Sequence, residues 1–454
     1  MRYKTTFATI RTYLLPLIDY MLTPDIEAQC IELIKNEVVP ATGCTEPVAV
    51  ALAAAQAAKT LGESPTSIEV LLSANMLKNA MGVGIPGTGM IGLPIAVALG
   101  IILADPVKEL TILENFTQEQ LDQAKALVEK KIISIRLKEG DIDRLYIEIN
   151  LKGANHTAST IIQSNHRNIA YIRRDEEIIR DHLSSSASST QGASDEAKGL
   201  QLTFDVVYEF ATTTPLEKLS FIQEAARLNK AASEFSLKGS YGHSVGQMIR
   251  GDWGKRYLGN SALTEMLTYT SAACDARMDG APVTVMSNSG SGNQGITATL
   301  PVLTFAQHEG ASEEQTIRAL VLSNLMVIYV KQKLGRLSAL CGCVVAATGS
   351  SCGLTYLMGG SKEQVEFAIK NMVGNITGML CDGAKPSCSM KVSSGVSTAM
   401  FSALLAMEYK VVTSSEGIVD ESVDSTIDNL ASIGRIGMNE TDRLVLDIMT
   451  QKQY

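Results

Sequence analysis

Hydrophobic residues recur at helical spacing over residues 24–39, where Ile26, Cys30, Ile31, Ile34 and Val38 form one face behind Thr23 as N-cap and Pro24 at the first helical position. Residues 40–47 read as a loop ending in a cap at Thr45, with Glu46 and Pro47 in the first turn of an alanine-rich helix that Gly62 stops. Cys44 thus stands just before a helix N-terminus. From Thr117 the period changes. A helix opened by a Thr117/Gln120 capping box runs to about Lys131, and alternating segments follow at Ile132–Leu137, Leu145–Leu151, Thr157–Gln163 and Ile169–Ile172, with turn-like breaks between them. This predicts a small antiparallel α+β unit over 116–183. The polar run Ser184–Gly192 predicts a flexible linker over 184–204. Beyond it helices are expected at Leu216–Leu237, Ser261–Met278, Ser312–Lys333, Lys362–Met372, Ser397–Met407 and Ser422–Ile433. The expected fold is α+β and mainly helical. An N-terminal helical part with a glycine-rich loop (1–115) and a C-terminal helical part (205–454) form a catalytic body, with the strand-rich unit between them.

Three stretches carry no Asp, Glu, Lys or Arg: Ala80–Ala104, Ala281–Gln307 and Leu337–Ser361. Each is long enough to raise the question of a membrane span. Glycine, proline and polar residues answer it, most plainly the run from Ser287 to Gly295, so all three are expected to be buried walls of a core or cavity. The chain of 454 residues has a net charge of −9 and no dense Lys/Arg run, which argues against nucleic acid or a membrane surface as partner and for a small molecule. An apolar stretch at Tyr13–Leu22 is broken by Pro16 and Asp19 and lacks a small-residue cleavage site, so the expectation is cytoplasmic rather than secreted. A homo-oligomer is left open.

A chain of this length buries a sufficient core without disulfides, so its eight cysteines need another explanation. Five of them, Cys341, Cys343, Cys352, Cys381 and Cys388, fall within about fifty residues of weakly charged, glycine-rich sequence. No Cys-x-x-Cys pair or ferredoxin spacing is present, and the two segments 341–343 and 381–388 suggest thiolates gathered from separate loops around a soft metal centre. An iron–sulfur cluster, structural zinc and inert buried cysteines are the three readings. Cys30 and Cys274 sit in helical apolar patterns and read as core. Cys44 has polar neighbours and a helix dipole behind it, which favours a thiolate that can act as base or nucleophile. The five histidines show no metal spacing. Two glycine-rich loops, Asn75–Gly87 and Ser287–Gly295, offer amide and ammonium donors for a carboxylate or phosphate, or else mark close backbone packing.

The segments Ala41–Pro47, Asn75–Thr88, Ser289–Gly295, Cys341-Gly-Cys343 and Gly378–Cys388 together resemble the L-cysteine desulfidase family over nearly the whole chain from about Pro24. More distantly, the C-terminal half resembles the α part of the iron–sulfur L-serine dehydratases. The resemblance implies a 4Fe-4S cluster held by three cysteines and cleavage of L-cysteine to sulfide, ammonia and pyruvate without pyridoxal phosphate. Carried onto this sequence, it assigns Cys341, Cys381 and Cys388 as cluster ligands and Cys44 as proton acceptor. The serine dehydratase pattern would place the first ligand at Cys343 instead. Three thiolates leave one iron without a protein ligand, free to act as a Lewis acid toward the substrate carboxylate or its β-leaving group. Asn75, Lys78 and Asn79, or Ser289, Ser291 and Asn293, are the candidates for binding the substrate carboxylate. The competing readings are an L-serine dehydratase with the same cluster, a pyridoxal-phosphate lyase using Lys78 or Lys391, and a zinc-stabilised binding protein.

Overall fold

A computed structural model describes residues 22–140, 142–183, 199–335 and 338–451. The apolar stretch up to Met21 and the polar run Ser184–Gly192 lie outside the described residues. The first helix is Pro24–Glu37, its N-terminus capped by the Thr23 hydroxyl accepting from the Ile26 N–H at 3.2 Å, and it buries Cys30 and Ile34. The alanine-rich helix is Thr45–Leu61, stopped by Gly62 in the left-handed conformation. Its N-cap is Cys44, not Thr45: Cys44 keeps extended dihedrals (φ −94°, ψ 133°) and Thr45 is already helical. The residues before it are not all loop, because Pro40–Thr42 pairs antiparallel with Thr284–Met286.

The strands after Thr117 form as expected, at Ile133–Leu137, Tyr146–Lys152, Thr157–Gln163 and Ile169–Arg174, behind the Gln118–Glu129 helix and its capping box. Two strands join them: Glu177–Asp181, exposed at one edge, and Ser67–Leu72. The latter inserts between Ile133–Leu137, to which it runs parallel, and Tyr146–Lys152, to which it runs antiparallel. The sheet is therefore mixed rather than purely antiparallel. Ile68, Val70 and Leu72 are buried, matching Ile147, Ile149 and Leu151 on the neighbouring strand, while Glu69, Glu148 and Asn150 share the other face. The Thr45–Leu61 helix packs across this sheet and against Leu93–Leu103, so closely that a Cβ on Gly100 would lie 2.2 Å from the Ala51 carbonyl oxygen.

The C-terminal half is a helical mass. Ala262–Met278, Glu313–Leu334, Lys362–Ile376 and Val423–Ser432 follow the expected positions, each with a side-chain cap at Ser261, Ser312, Ser361 and Ser422. Leu216–Leu237 is divided into a short helix, a tight turn and the helix Gln223–Ser236. The expected Ser397–Met407 helix begins nine residues earlier, at Cys388. Two of the charge-free stretches contain long buried helices, Gly292–Glu309 and Gly342–Leu357. They are buried on nearly every side, with Thr and Ser mixed among the apolar residues, so no amphipathic period marked them.

Two hydrophobic clusters fill the protein. One joins the Thr45–Leu61 helix to the sheet and to Leu93–Leu103; the other joins the first helix to the C-terminal helices. Cys44 belongs to the second cluster although the helix it caps belongs to the first. That places it at the seam. Among the described residues one helix, Cys388–Met407, is long and apolar enough by length and composition to cross a membrane. It packs against Gly342–Leu357, Lys362–Ile376 and Ala262–Met278.

Candidate active site

The seam between the clusters opens into a cleft of about 930 Å3, including the solvent at its mouth. Local pairing explains how residues far apart in sequence reach it. The Pro40–Thr42 ribbon, extended by the Ser287 N–H and hydroxyl both donating to the Val39 carbonyl (2.8 and 2.7 Å), ties the Cys44 turn to the Ser287–Ser291 loop. In that loop Asn288 and Ser291 exchange two backbone hydrogen bonds of 3.1 Å around Ser289 and Gly290, both with positive φ, a two-residue turn of the primed kind. Cys341 and Cys381 are brought together in the same way. The Cys341 N–H donates to Met379 (3.0 Å) and the Cys381 N–H to Ala339 (2.8 Å), a short antiparallel bridge centred on Leu340 and Leu380.

Helix starts dominate the lining. Cys44, Ser291 and Cys341 are the N-caps of three long helices, all in extended conformation and none capping with its own side chain, while Cys388 is the first residue of a fourth. Helix N-termini carry partial positive charge, so the cleft favours anions. Arg277 and Lys331 also line it, and Glu46 is the one carboxylate that does so among the described residues.

Of the residues singled out from sequence, the cleft gathers Cys44, Asn79, Ser289, Ser291, Asn293, Cys341, Cys381 and Cys388, together with Cys343. It does not gather Asn75 or Lys78. Lys78 is buried in the Ala74–Ala80 helix and forms an ion pair with Asp442 of the C-terminal helix Asn439–Gln451. The glycines after it serve backbone packing: a Cβ on Gly84 would stand 2.3 Å from the Asp279 carbonyl carbon. Lys391 donates to the Leu380 carbonyl (2.7 Å) and to the Asp382 carboxylate. Cys30, Cys274 and Cys352 are fully buried, and no cysteine is in a disulfide.

The state of the thiols follows from their surroundings. Cys44 is 5% exposed and donates from Sγ to a Glu46 carboxylate oxygen at 2.9 Å. Burial first, then the negative charge of Glu46, push this thiol well above its ordinary range, with Arg277 pulling weakly the other way. The helix dipole that favours a thiolate here is thus outweighed. Cys341 behaves oppositely. A hydrogen bond from Cys343 overcomes burial and, with the charges of Lys391 and Lys385, holds it below the usual thiol range. Cys343 is raised in return, and burial raises Cys381 and lifts Cys388 to about 11. The Cys341, Cys381 and Cys388 sulfurs interact electrostatically with one another, so each thiolate raises the pKa of its neighbours and a cation held between them would favour their joint deprotonation.

Among the described residues no three Cys, His, Asp or Glu side chains stand together in the manner of a single-ion site. The donor set suits a cluster better, since each cluster ligand binds a different iron: besides Cys44, four thiols line the cleft, beside helix N-termini and next to Lys385 and Lys391. Sequence reasoning missed Glu46 and Arg277. Arg277 lies in the last turn of its helix, where a basic residue reads as a solvated cation opposing the dipole.

The family described as serine dehydratase alpha chain matches residues 107–447, well over half of the chain. Close relatives extend the match further. A UPF0597 protein of Porphyromonas gingivalis is 69% identical over 94% of this chain and 99% of its own length, and one of Bacteroides thetaiotaomicron is 57% identical over 93% and 98%. A UPF0597 protein of Oleidesulfovibrio alaskensis is 46% identical over 95% of this chain and its whole length. The chain therefore belongs to the UPF0597 proteins and to the serine dehydratase alpha chain family, whose chemistry is that of a lyase.

Proposed function

We propose that the protein is an iron–sulfur-dependent lyase that eliminates sulfide from L-cysteine. The observation that carries this reading is the convergence of Cys44 with Cys341, Cys381 and Cys388 in one anion-favouring cleft. Cys341, Cys381 and Cys388 are the proposed ligands of a 4Fe-4S cluster. Cys341 is preferred to Cys343 because it is the thiol already held toward the thiolate, with Cys343 as hydrogen-bond donor beside it. A cluster with one iron free of protein ligands supplies Lewis acidity to the substrate.

The remaining work falls to the chain. The Cα proton of an amino acid is weakly acidic and needs a positioned base. Cys44 takes this role as the thiolate, and Glu46, to which its thiol donates, orients the sulfur. Loss of the Cα proton and of sulfide from Cβ leaves aminoacrylate. Water converts this to pyruvate and ammonia, so one L-cysteine and one water give one each of sulfide, pyruvate and ammonia.

A second reading, elimination of hydroxide from L-serine, is favoured by the family match over residues 107–447. Anaerobically reconstituted protein given each amino acid separates the two. Equal amounts of sulfide and pyruvate from L-cysteine, with little pyruvate from L-serine, support the first; the reverse preference supports the second. Formation of pyruvate from neither contradicts both.

A further inference from the structure

We propose that Arg277 anchors the α-carboxylate of the substrate, so that the cleft selects ligands with a carboxylate beside the reacting carbon. This rests on the lyase reading above. Arg277 stands at the end of the Ala262–Met278 helix, is 3% exposed and lines the cleft. Its Nη1 donates to Asn293 Oδ1 at 3.1 Å, and its Nε has no hydrogen-bond partner. Among the described residues no carboxylate forms an ion pair with it: Glu46, the carboxylate in the cleft, accepts instead from Cys44 (2.9 Å) and Asn79 (3.3 Å). A buried guanidinium left in this state is costly, and proteins seldom keep one without an anion to meet it.

The packing sharpens the argument. Arg277 lies against the start of the Gly292–Glu309 helix, where a Cβ on Gly292 would fall 2.2 Å from Arg277 Nε. The glycine makes room for the guanidinium. A cation at the positive end of a helix is electrostatically unfavourable by itself, and an anion bound between them relieves both. A planar carboxylate fits the guanidinium fork. The charge of Arg277 is also felt at the Cys44 thiol, so a carboxylate held there brings its α-carbon toward the proposed base.

The test uses anaerobically reconstituted full-length protein and two ligands that lack a leaving group, L-alanine and L-alaninamide, with binding followed by thermal shift and calorimetry. The wild type should prefer L-alanine. Arg277→Gln should weaken L-alanine binding roughly 10- to 100-fold and abolish the preference, with Arg277→Lys recovering part of it. Gly292→Ala keeps the charge but displaces the guanidinium and should lose the same preference, which covers the case in which Arg277→Gln does not fold. A wild type that binds both ligands equally, or variants that keep its preference, overturns the assignment. Arg277-dependent binding of L-alanine without any sulfide from L-cysteine would leave the anchor standing and remove the reaction. Sulfide release with unchanged KM in Arg277→Gln would do the opposite.

Discussion

Cys44 shows how opposing local effects set the chemistry of one side chain. Its position before a helix was legible in the sequence, and the dipole alone favours a thiolate, yet burial and Glu46 reverse the balance. The free enzyme therefore holds a protonated thiol at neutral pH, and the base form grows as pH rises. kcat/KM for L-cysteine should climb with pH through neutrality, and Glu46→Gln, which removes a cause of the upward shift, should move that limb to lower pH while reducing the maximal rate. A pH–rate profile of the two proteins checks the sign. Cys44→Ser should lower kcat by about 10²- to 10⁴-fold without changing iron content, which separates a base from a ligand. The cysteines were readable because clustering of a rare residue in sequence is itself a signal. Glu46 and Arg277 were not, because each stands among ordinary helix-end charges and acquires meaning only from what it faces across the cleft.

Helices with a recognisable start or stop were legible even where they are buried, as Thr45–Leu61 and Ala262–Met278 are, and those without such signals were not. The Thr117 capping box marked a helix start because its side chains satisfy orphan N–H groups locally, and Ser312 and Ser361 open their helices with the same box. Gly292–Glu309 and Gly342–Leu357 carry no such caps and no polar stripe, and the first holds Pro301 in its interior, a residue that helices seldom accommodate. Strand Ser67–Leu72 alternates as a half-buried strand should, but its parallel partner begins at Ile133, a pairing no local pattern reveals. Close helix packing behind Cys44 gives a direct test at this scale. Gly100→Ala forces a Cβ to within 2.2 Å of the Ala51 carbonyl oxygen, and should destabilise the protein by about 1–3 kcal/mol in denaturant unfolding.

At the scale of the whole molecule, the site exists only where two cores meet, and contacts distant in sequence hold the seam. Lys78, buried in the N-terminal part, pairs with Asp442 in the last described helix, and the Lys78 carbonyl oxygen would lie 2.2 Å from a Cβ on Gly383 in the Cys381–Cys388 loop. Asp442→Ala leaves that ammonium buried without its partner and should cost about 3 kcal/mol, read as a lower thermal midpoint and as looser binding of iron at Cys381 and Cys388. The most direct test of the account as a whole is the iron and acid-labile sulfide content of anaerobically reconstituted protein, wild type against Cys341→Ala, Cys343→Ala, Cys381→Ala and Cys388→Ala. The account predicts about four irons and four sulfides per chain, lost in the Cys341, Cys381 and Cys388 variants and retained in the Cys343 variant. A wild type that takes up no iron, or a cluster that survives loss of Cys381 or Cys388, would contradict it.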